Sequence, residues 1–245
     1  MLYFISDLHL SPQTPGIEAI FRAFLADLAS PKNGKPNALY ILGDLFDVWI
    51  GDDDDSPFAE SIAATLKATG DAGVRLFFLH GNRDFLLGAD FARKSGMTLL
   101  PDPALLSTPE GQFILSHGDS LCTDDLAYQQ FRRQIRTPAW QADFLQKPIP
   151  ERRRLAAALR EQSVVENSLK PTQLTDLTSG ATEDFLRQHG YATFIHGHTH
   201  RPAQHNHIVD GICVERWVLS DWSEDRGEAL LWNGEHLQRL SLDRF

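Results

Sequence analysis

Cysteine is scarce in this sequence, and long apolar runs and positive charge are scarce as well. Only Cys122 and Cys213 stand among 245 residues, which excludes a disulfide-stapled scaffold and favours a reducing compartment. The apolar start, residues 1–5, is far shorter than a signal peptide or a membrane span requires, and no basic residue precedes it. We therefore expect a cytoplasmic protein.

Positive charge is in deficit, because 23 Lys and Arg residues stand against 33 Asp and Glu residues, a formal net charge of −10. Nucleic-acid binding proteins carry clustered Lys and Arg that neutralise phosphates, so we expect no nucleic acid as a partner. The deficit is uneven along the chain. Residues 126–170 hold nine Lys or Arg and four Asp or Glu, which makes this segment a basic island on an acidic protein.

Strand-like and helix-like segments alternate in the first third of the chain. Residues 2–5, 38–42 and 74–79 are apolar runs of strand length, and apolar residues at helical spacing fill 17–28 and 57–70. This alternation predicts an α/β fold in which helices cover a largely parallel sheet. A hydrophobic content of 42% is enough for one substantial core, and we expect a single domain over residues 1–245.

The alternation breaks after residue 124. Residues 125–182 contain no convincing strand, only helix-like stretches separated by prolines, and we predict that they form a helical cap inserted into the domain. Aromatic and aliphatic residues are interleaved with the arginines of this cap. They could hold the apolar chains of a ligand in a groove, or they could form a core of the cap itself. A basic and apolar surface also favours transient docking on an anionic bilayer.

Polar motifs follow the predicted strands at the points where the strands end. The last motif holds three histidines at alternate positions after the apolar run 191–195, so we expect His196 and His198 at that strand end. Because the carboxyl ends of strands in an α/β layer gather along one edge, such residues can meet in one cleft. The candidate metal ligands are Asp7, His9, Asp44, Asn82, His117, His196 and His198.

Imidazole nitrogens combined with carboxylate and amide oxygens suit Mn²⁺ or Fe²⁺, leave Zn²⁺ open and disfavour Ca²⁺. Seven ligands are too many for one ion. They suit two ions about 3.5–4 Å apart that share a carboxylate, which clamps both oxygens of a phosphoryl transfer. Each motif alone has a structural alternative, because Asp7 and Asp44 could cap helices and Asn82 could occupy a left-handed turn.

Five motifs in order resemble the sequence blocks of the calcineurin-like metallophosphoesterases. They are Asp7-Leu8-His9, Gly43-Asp44-Leu45-Phe46-Asp47, Gly81-Asn82-Arg83-Asp84, His117-Gly118-Asp119 and Gly197-His198-Thr199-His200. The resemblance implies a four-layer αββα sandwich with a dinuclear metal site at one edge. It implies that the first metal is held by Asp7, His9 and His198. The second would be held by Asn82, His117 and His196, with Asp44 as the bridge.

Arg83 stands where many members of that family have a histidine. A guanidinium can neutralise phosphate oxygens with two hydrogen bonds, but it cannot donate a proton. Arginine in place of histidine at this position therefore favours a leaving group that needs little protonation, such as a phosphate. By the resemblance, the catalytic residues are Asp44, Asn82, Arg83 and His117.

Three further features narrow the resemblance: Arg83, the run Leu-Cys-Thr-Asp-Asp at 121–125, and Ser163, Asn167 and Lys170 of the cap. With them the chain is similar to one branch of the family, the pyrophosphatases of UDP-2,3-diacylglucosamine in lipid A synthesis. Those enzymes release UMP and 2,3-diacylglucosamine 1-phosphate by water attack on the α-phosphate, usually with Mn²⁺. The resemblance implies two Mn²⁺ per chain and a monomer at the cytoplasmic face of an anionic bacterial inner membrane. The residues that would contact the substrate are Asn82, Arg83, Asp125, Ser163, Asn167, Lys170 and His196.

Two rival interpretations stay open at this point. Another dinuclear phosphoesterase, acting on soluble nucleotides or phosphoproteins, would not need a basic and apolar cap. A metal-free scaffold on the same fold would usually lack several ligands, and none is missing here. Among the remaining polar groups, we expect His200 to orient a neighbour, and Asp47, Asp84 and Asp119 to accept hydrogen bonds from ligating imidazoles. The acidic run 52–55 is expected to be a solvated loop.

Overall fold

The computed structural model of the protein describes residues 1–30, 38–169 and 172–243. The strands are β1 Leu2–Ile5, β2 Ala38–Leu42, β3 Arg75–Leu79, β4 Met97–Leu99, β5 Ala104–Ser107, β6 Gln112–Ser116, β7 Thr193–His196, β8 Ala203–Val209, β9 Ile212–Val218, β10 Arg226–Trp232 and β11 Leu237–Asp243. The helices are α1 Pro15–Ala29, α2 Pro57–Asp71, α3 Ala89–Ser95, α4 Leu126–Ile135, α5 Pro138–Leu145, α6 Ile149–Leu169 and α7 Ser179–Gln188.

The strands form two sheets. The first has six strands in the order β11, β10, β1, β2, β3, β4, and the second has five in the order β5, β6, β7, β9, β8. Strands β1 to β4 are parallel, as are β6, β7 and β9, whereas β5, β8, β10 and β11 pair antiparallel. The loops that follow β1, β2 and β3 therefore leave one edge of the first sheet, and those after β6 and β7 leave one edge of the second.

Alternating side chains divide the core into layers. Phe4 and Tyr40 of the first sheet stack at 5.3 Å between ring centroids, and Phe4 also contacts Phe113 of the second sheet. The outer face of the first sheet packs against α1 and α2, and the outer face of the second packs against Leu186 of α7. Helix, sheet, sheet and helix follow in that order, so the predicted αββα sandwich is confirmed.

Helix α6 is fixed to the loop after β2 by arginine side chains. The Arg152 side chain is 2% exposed, and its Nη1 atom donates to Ile50 O at 2.6 Å while both Nη atoms donate to Asp53. Arg160 binds Asp47 through two hydrogen bonds of 2.6 Å. These pairs place α6, a helix of the predicted cap, beside the loop that follows β2.

Residues 52–55 form a loop, as expected, and Asp53 and Asp55 are 62% and 82% exposed, but the loop is more than a solvated segment because its carboxylates bind other elements. The carboxylate of Asp52 accepts hydrogen bonds from the backbone N–H groups of Gly88, Asp90 and Phe91 and so caps helix α3. The next three acids pair with arginines of α6. The acidic run therefore joins α3 to α6, because Asp52 binds the first helix and the other three carboxylates bind the second.

Candidate metal centre

The loops after β1, β2 and β7 carry an unusual concentration of strained backbone. Seven non-glycine residues in the described ranges have a positive φ, and five of them belong to the predicted metal motifs. They are Asp7, His9, Asp44, His198 and His200, with φ between 50° and 70°. Each such residue costs about 1–3 kcal/mol and persists only where surrounding contacts hold it, and such strain gathers at functional sites.

One cluster of potential ligands gathers around Asp7. Its Oδ1 atom lies 3.4 Å from His200 Nε2, which in turn lies 3.3 Å from His9 Nε2. His9 Nδ1 lies 3.9 Å from Asp44 Oδ2. Asp7 Oδ1 and His9 Nδ1 are buried and accept or donate no hydrogen bond among the described residues. Buried polar atoms need a partner, so this pair of orphaned atoms fits a bound cation.

A second cluster adjoins the first through Asp44. Asn82 Oδ1 lies 2.9 Å from both His117 Nε2 and His198 Nδ1, and His117 Nε2 lies 3.7 Å from Asp44 Oδ1. His117 Nδ1 lies 2.9 Å from the carbonyl oxygen of Leu42 and donates to it, so Nε2 is the nitrogen that faces this cluster. One amide oxygen and two imidazole nitrogens thus converge, as metal ligands do.

The electrostatics of the two clusters favour cations. Burial lowers the pKa of His9 and of His198 to about 4, so both imidazoles are in the neutral form that binds metals. The pKa of Asp44 is raised by burial and by the charges of Asp84 and Asp7. For His117, the negative charges of Asp44 and Asp7 outweigh burial and raise the pKa to about 9. The buried carboxylates of this site therefore repel one another, and bound cations would reduce that repulsion.

The predicted second histidine pair needs correction. Strand β7 runs through His196, so its side chain lies on the same face as Phe194, toward α7. Its Nδ1 atom lies 2.8 Å from Gly197 O and its Nε2 atom lies 3.2 Å from Arg216 Nη1, and the residue is fully buried. The structure does not bring His196 to either cluster as a metal ligand or a substrate contact.

His198 and His200 occupy the positions that were predicted for His196 and His198. His198 joins Asn82 and His117 rather than Asp7 and His9, and His200 joins Asp7 and His9. Burial and the charge of Arg216 also lower the pKa of His196 to about 3. The signal was present in the sequence, since the motif that resembles the family begins at Gly197 and its histidines are the two that follow.

Three acids expected to orient imidazoles accept from other groups in the described part of the chain. Asp84 is buried and accepts from the backbone N–H groups of Gly81 and Leu45, which ties the loops after β2 and β3 together. Asp119 accepts from the Tyr128 hydroxyl and from Arg132 Nε, both at 2.7 Å. Asp47 pairs with the cap, as described above. Tyr128 in turn stacks on His198 with ring centroids 5.9 Å apart.

The predicted substrate contacts have varied surroundings. The Arg83 backbone N–H donates to Asp44 Oδ1 at 2.8 Å, and its side chain lines a cavity beside the clusters. Asp125 is buried and its Oδ1 atom accepts from Tyr128 N at 3.1 Å, so it caps helix α4. Ser163, Asn167 and Lys170 lie outside the residues whose side chains the structure describes.

The cavity beside the clusters measures about 390 Å³. Asn82 and Arg83 form part of its wall on the side of the metal motifs, and most of the remaining wall is apolar. The apolar lining comes from the loops after β2 and β3 and from the cap helices, and includes Trp49, Phe85, Tyr128, Phe131, Trp140 and Leu159. The aromatic residues of the cap thus surround a space that can hold an apolar ligand. Some of them, such as Trp140, also pack on the core.

Two stacked sheets with imidazole, carboxylate and amide ligands at the ends of their parallel strands define a metal-dependent phosphoesterase. Residues 1–202 match the family model described as calcineurin-like phosphoesterase, and the chain belongs to that family. It is 50% identical over 231 residues to the UDP-2,3-diacylglucosamine hydrolase of Aromatoleum aromaticum, covering 94% of this chain and 92% of that protein. It is 46% identical over 244 residues to the protein of the same name from Chromobacterium violaceum, covering 98% of each.

Proposed function

We propose that this protein hydrolyses the pyrophosphate bond of UDP-2,3-diacylglucosamine and releases UMP and 2,3-diacylglucosamine 1-phosphate. The observation that carries the proposal is the apolar cavity of about 390 Å³ whose wall includes Asn82 and Arg83. A ligand with its acyl chain in this cavity would present its phosphates to the metal motifs. The relatives with 46–50% identity over nearly their whole length carry the name of that hydrolase, which supports the same substrate.

The donor set fits two Mn²⁺ ions. Asp7, His9 and His200 would hold one ion, while Asn82, His117 and His198 would hold the other, with Asp44 between them. Mixed imidazole, carboxylate and amide donors suit Mn²⁺ better than Ca²⁺ or Mg²⁺. When bound, such a pair supplies a nucleophilic hydroxide at neutral pH and neutralises phosphate charge. All of these ligands come from one chain, in keeping with a monomer.

The chain's own residues position the substrate. Arg83 projects into the cavity beside Asn82, where its guanidinium can bind two phosphate oxygens of the pyrophosphate. Its backbone N–H fixes the Asp44 carboxylate, so both groups are set by the loop after β3. Because Arg83 donates no proton, the departing group is one that leaves as an anion, and phosphate meets that requirement. Asp84 keeps the two loops in register by binding their backbone N–H groups.

Turnover measurements test the proposal. The purified full chain with Mn²⁺ should cleave UDP-2,3-diacylglucosamine and form UMP, and an excess of chelator should remove this activity. A soluble nucleotide diester and a phosphopeptide serve as comparison substrates, and each should be cleaved far more slowly because neither fills the apolar cavity. Equal or faster turnover of a soluble substrate would instead assign the chain to another metallophosphoesterase activity.

Peripheral attachment to the inner membrane is part of the same proposal. No helix in the described ranges has the length and apolar character of a membrane span. The cap instead exposes four large apolar side chains beside exposed arginines such as Arg133 and Arg154. The four are Leu126, which is 76% exposed, and Phe131, Leu145 and Leu159. Exposed apolar groups with nearby cations favour an anionic bilayer surface.

Vesicle flotation is the measurement that tests membrane contact. The protein should float with vesicles containing phosphatidylglycerol at low salt and should be released at high salt, because the cationic contribution is screened. Leu126→Glu should weaken the binding. Leu105→Glu is the matched control, since Leu105 is 66% exposed on strand β5, which is not part of the cap, and its change should leave binding intact. Absence of salt-sensitive flotation of the unmodified protein would refute the contact.

A further inference from the structure

Arg216 on strand β9 is a buried arginine with no carboxylate ion pair among the described residues. It is 7% exposed. Its Nη1 atom donates to His196 Nε2 at 3.2 Å, and its Nε atom donates to His207 Nε2 at 3.1 Å. Burial lowers the pKa of this guanidinium, and the charge of Asp176 offsets that effect only in part. Its two hydrogen bonds fix the positions of His196 and His207.

The first of these bonds selects the tautomer of His196. A guanidinium only donates hydrogen bonds, so His196 Nε2 must accept, and a neutral imidazole then carries its proton on Nδ1. That nitrogen lies 2.8 Å from the carbonyl oxygen of Gly197 and donates to it. Arg216 thereby determines that His196 binds the backbone of the next residue.

The Gly197 carbonyl belongs to the same peptide unit as the N–H of His198. That N–H donates to Asp7 Oδ2 at 2.9 Å, so the unit is held at one end by His196 and at the other by Asp7. The fit is tight, because a Cβ atom on Gly197 would lie 2.3 Å from Asp7 Oδ2 and from Ser6 Oγ. A small rotation of this peptide would change where the next side chains point.

The turn that follows needs such support. His198 has a φ of 70° and His200 a φ of 55°, and residues with a side chain keep this conformation only when their surroundings hold it. We propose that Arg216 is a positioning residue for the metal centre, acting through His196 to fix the turn that presents His198 and His200. The inference rests on the proposed metal sites and is independent of the substrate.

Calorimetric titration of Mn²⁺ into the metal-free full chain tests the inference. Arg216→Met removes the donors and keeps an unbranched side chain. It should weaken Mn²⁺ binding about 10- to 100-fold, as the loss of partners that orient metal ligands usually does. It should also lower kcat while the KM for the nucleotide sugar stays within about twofold. Arg216→Lys keeps a charge and a donor, so it should lose less affinity, and it carries the test if the methionine variant does not fold.

A double-mutant cycle separates positioning from general stabilisation. In a His196→Phe background, Arg216→Met should weaken Mn²⁺ binding no further, because the two residues act through one contact. Arg239→Met is the matched control. Arg239 lies on β11 of the first sheet and donates to the backbone carbonyl groups of Ala203 and Val218, which belong to the same sheet as Arg216. This substitution should lower Tm and leave Mn²⁺ affinity unchanged.

Two outcomes would overturn the inference: unchanged Mn²⁺ affinity in Arg216→Met, or an equal loss of affinity in Arg239→Met. Failure of the proposed function would look different. An unmodified chain that binds Mn²⁺ but does not cleave the diacyl nucleotide sugar would refute the substrate and leave the comparison of affinities intact.

Discussion

Asp44→Asn should lower kcat for UDP-2,3-diacylglucosamine by about a thousandfold or more, which corresponds to about 4 kcal/mol or more of lost transition-state stabilisation. The Asp44 carboxylate faces both ligand clusters, with one oxygen toward His9 and the other toward His117. The asparagine keeps the shape, tolerates the φ of 52° and can still accept from the Arg83 N–H. It removes the charge that two cations would share.

The stability of this variant separates a lost reaction from a lost fold. Burial and neighbouring acids already penalise the Asp44 carboxylate, as its raised pKa shows, so the metal-free asparagine variant should melt at the same or a higher temperature. Asp71→Asn is the control, because Asp71 is an exposed partner of Lys67 on α2 and should leave kcat unchanged. Full activity of Asp44→Asn with Mn²⁺ would exclude the dinuclear mechanism.

Ala156→Phe should selectively impair the diacylated substrate. Ala156 lies on α6 and lines the apolar cavity, so a phenyl ring there would occupy space that we assign to an acyl chain. Displacing roughly four methylene groups, at about 0.8 kcal/mol each, would lower kcat/KM about a hundredfold or more. The same nucleotide sugar without acyl chains should be cleaved slowly, and at equal rates by the unmodified protein and by Ala156→Phe, because it does not occupy the cavity.

Ala157→Phe is the matched control for this experiment. Ala157 is the next residue on the same helix, but it is exposed and does not line the cavity. Its change should leave both rates and Mn²⁺ affinity as they are. Equal turnover of the diacylated substrate by Ala156→Phe and Ala157→Phe would show that the cavity is not the acyl site, and the substrate assignment would lose its main structural support.

Much of the fold follows from local sequence patterns. The apolar runs 2–5 and 38–42 coincide with β1 and β2, and the helical periodicity of 57–70 lies within α2. Strands β4, β5, β8 and β11 were not predicted, because they are short or polar and lie toward the sheet edges, where burial imposes no clear pattern. The ion pairs and the cap made by residues 52–55 were not predicted for a related reason, since their partners on α3 and α6 are distant in sequence.

The identity of the ligating histidines also depended on both local sequence and tertiary structure. Ordered motifs at strand ends were enough to predict the family, which the sequence match confirms. They were not enough to predict which two of the three alternate histidines share a cluster. That depends on where β7 ends, and the strand includes His196, so strand alternation turns this side chain toward Phe194 and Arg216.

By itself, then, the sequence determined the alternation of strands and helices, the residue types at the strand ends and the basic, apolar cap. These are properties of neighbouring residues, and hydrophobic periodicity records them directly. The tertiary structure decided that His200 lies beside Asp7 and that the cap encloses a cavity next to Arg83. Such contacts join residues far apart in the chain, and only the packing of the two sheets and the cap brings them within reach of each other.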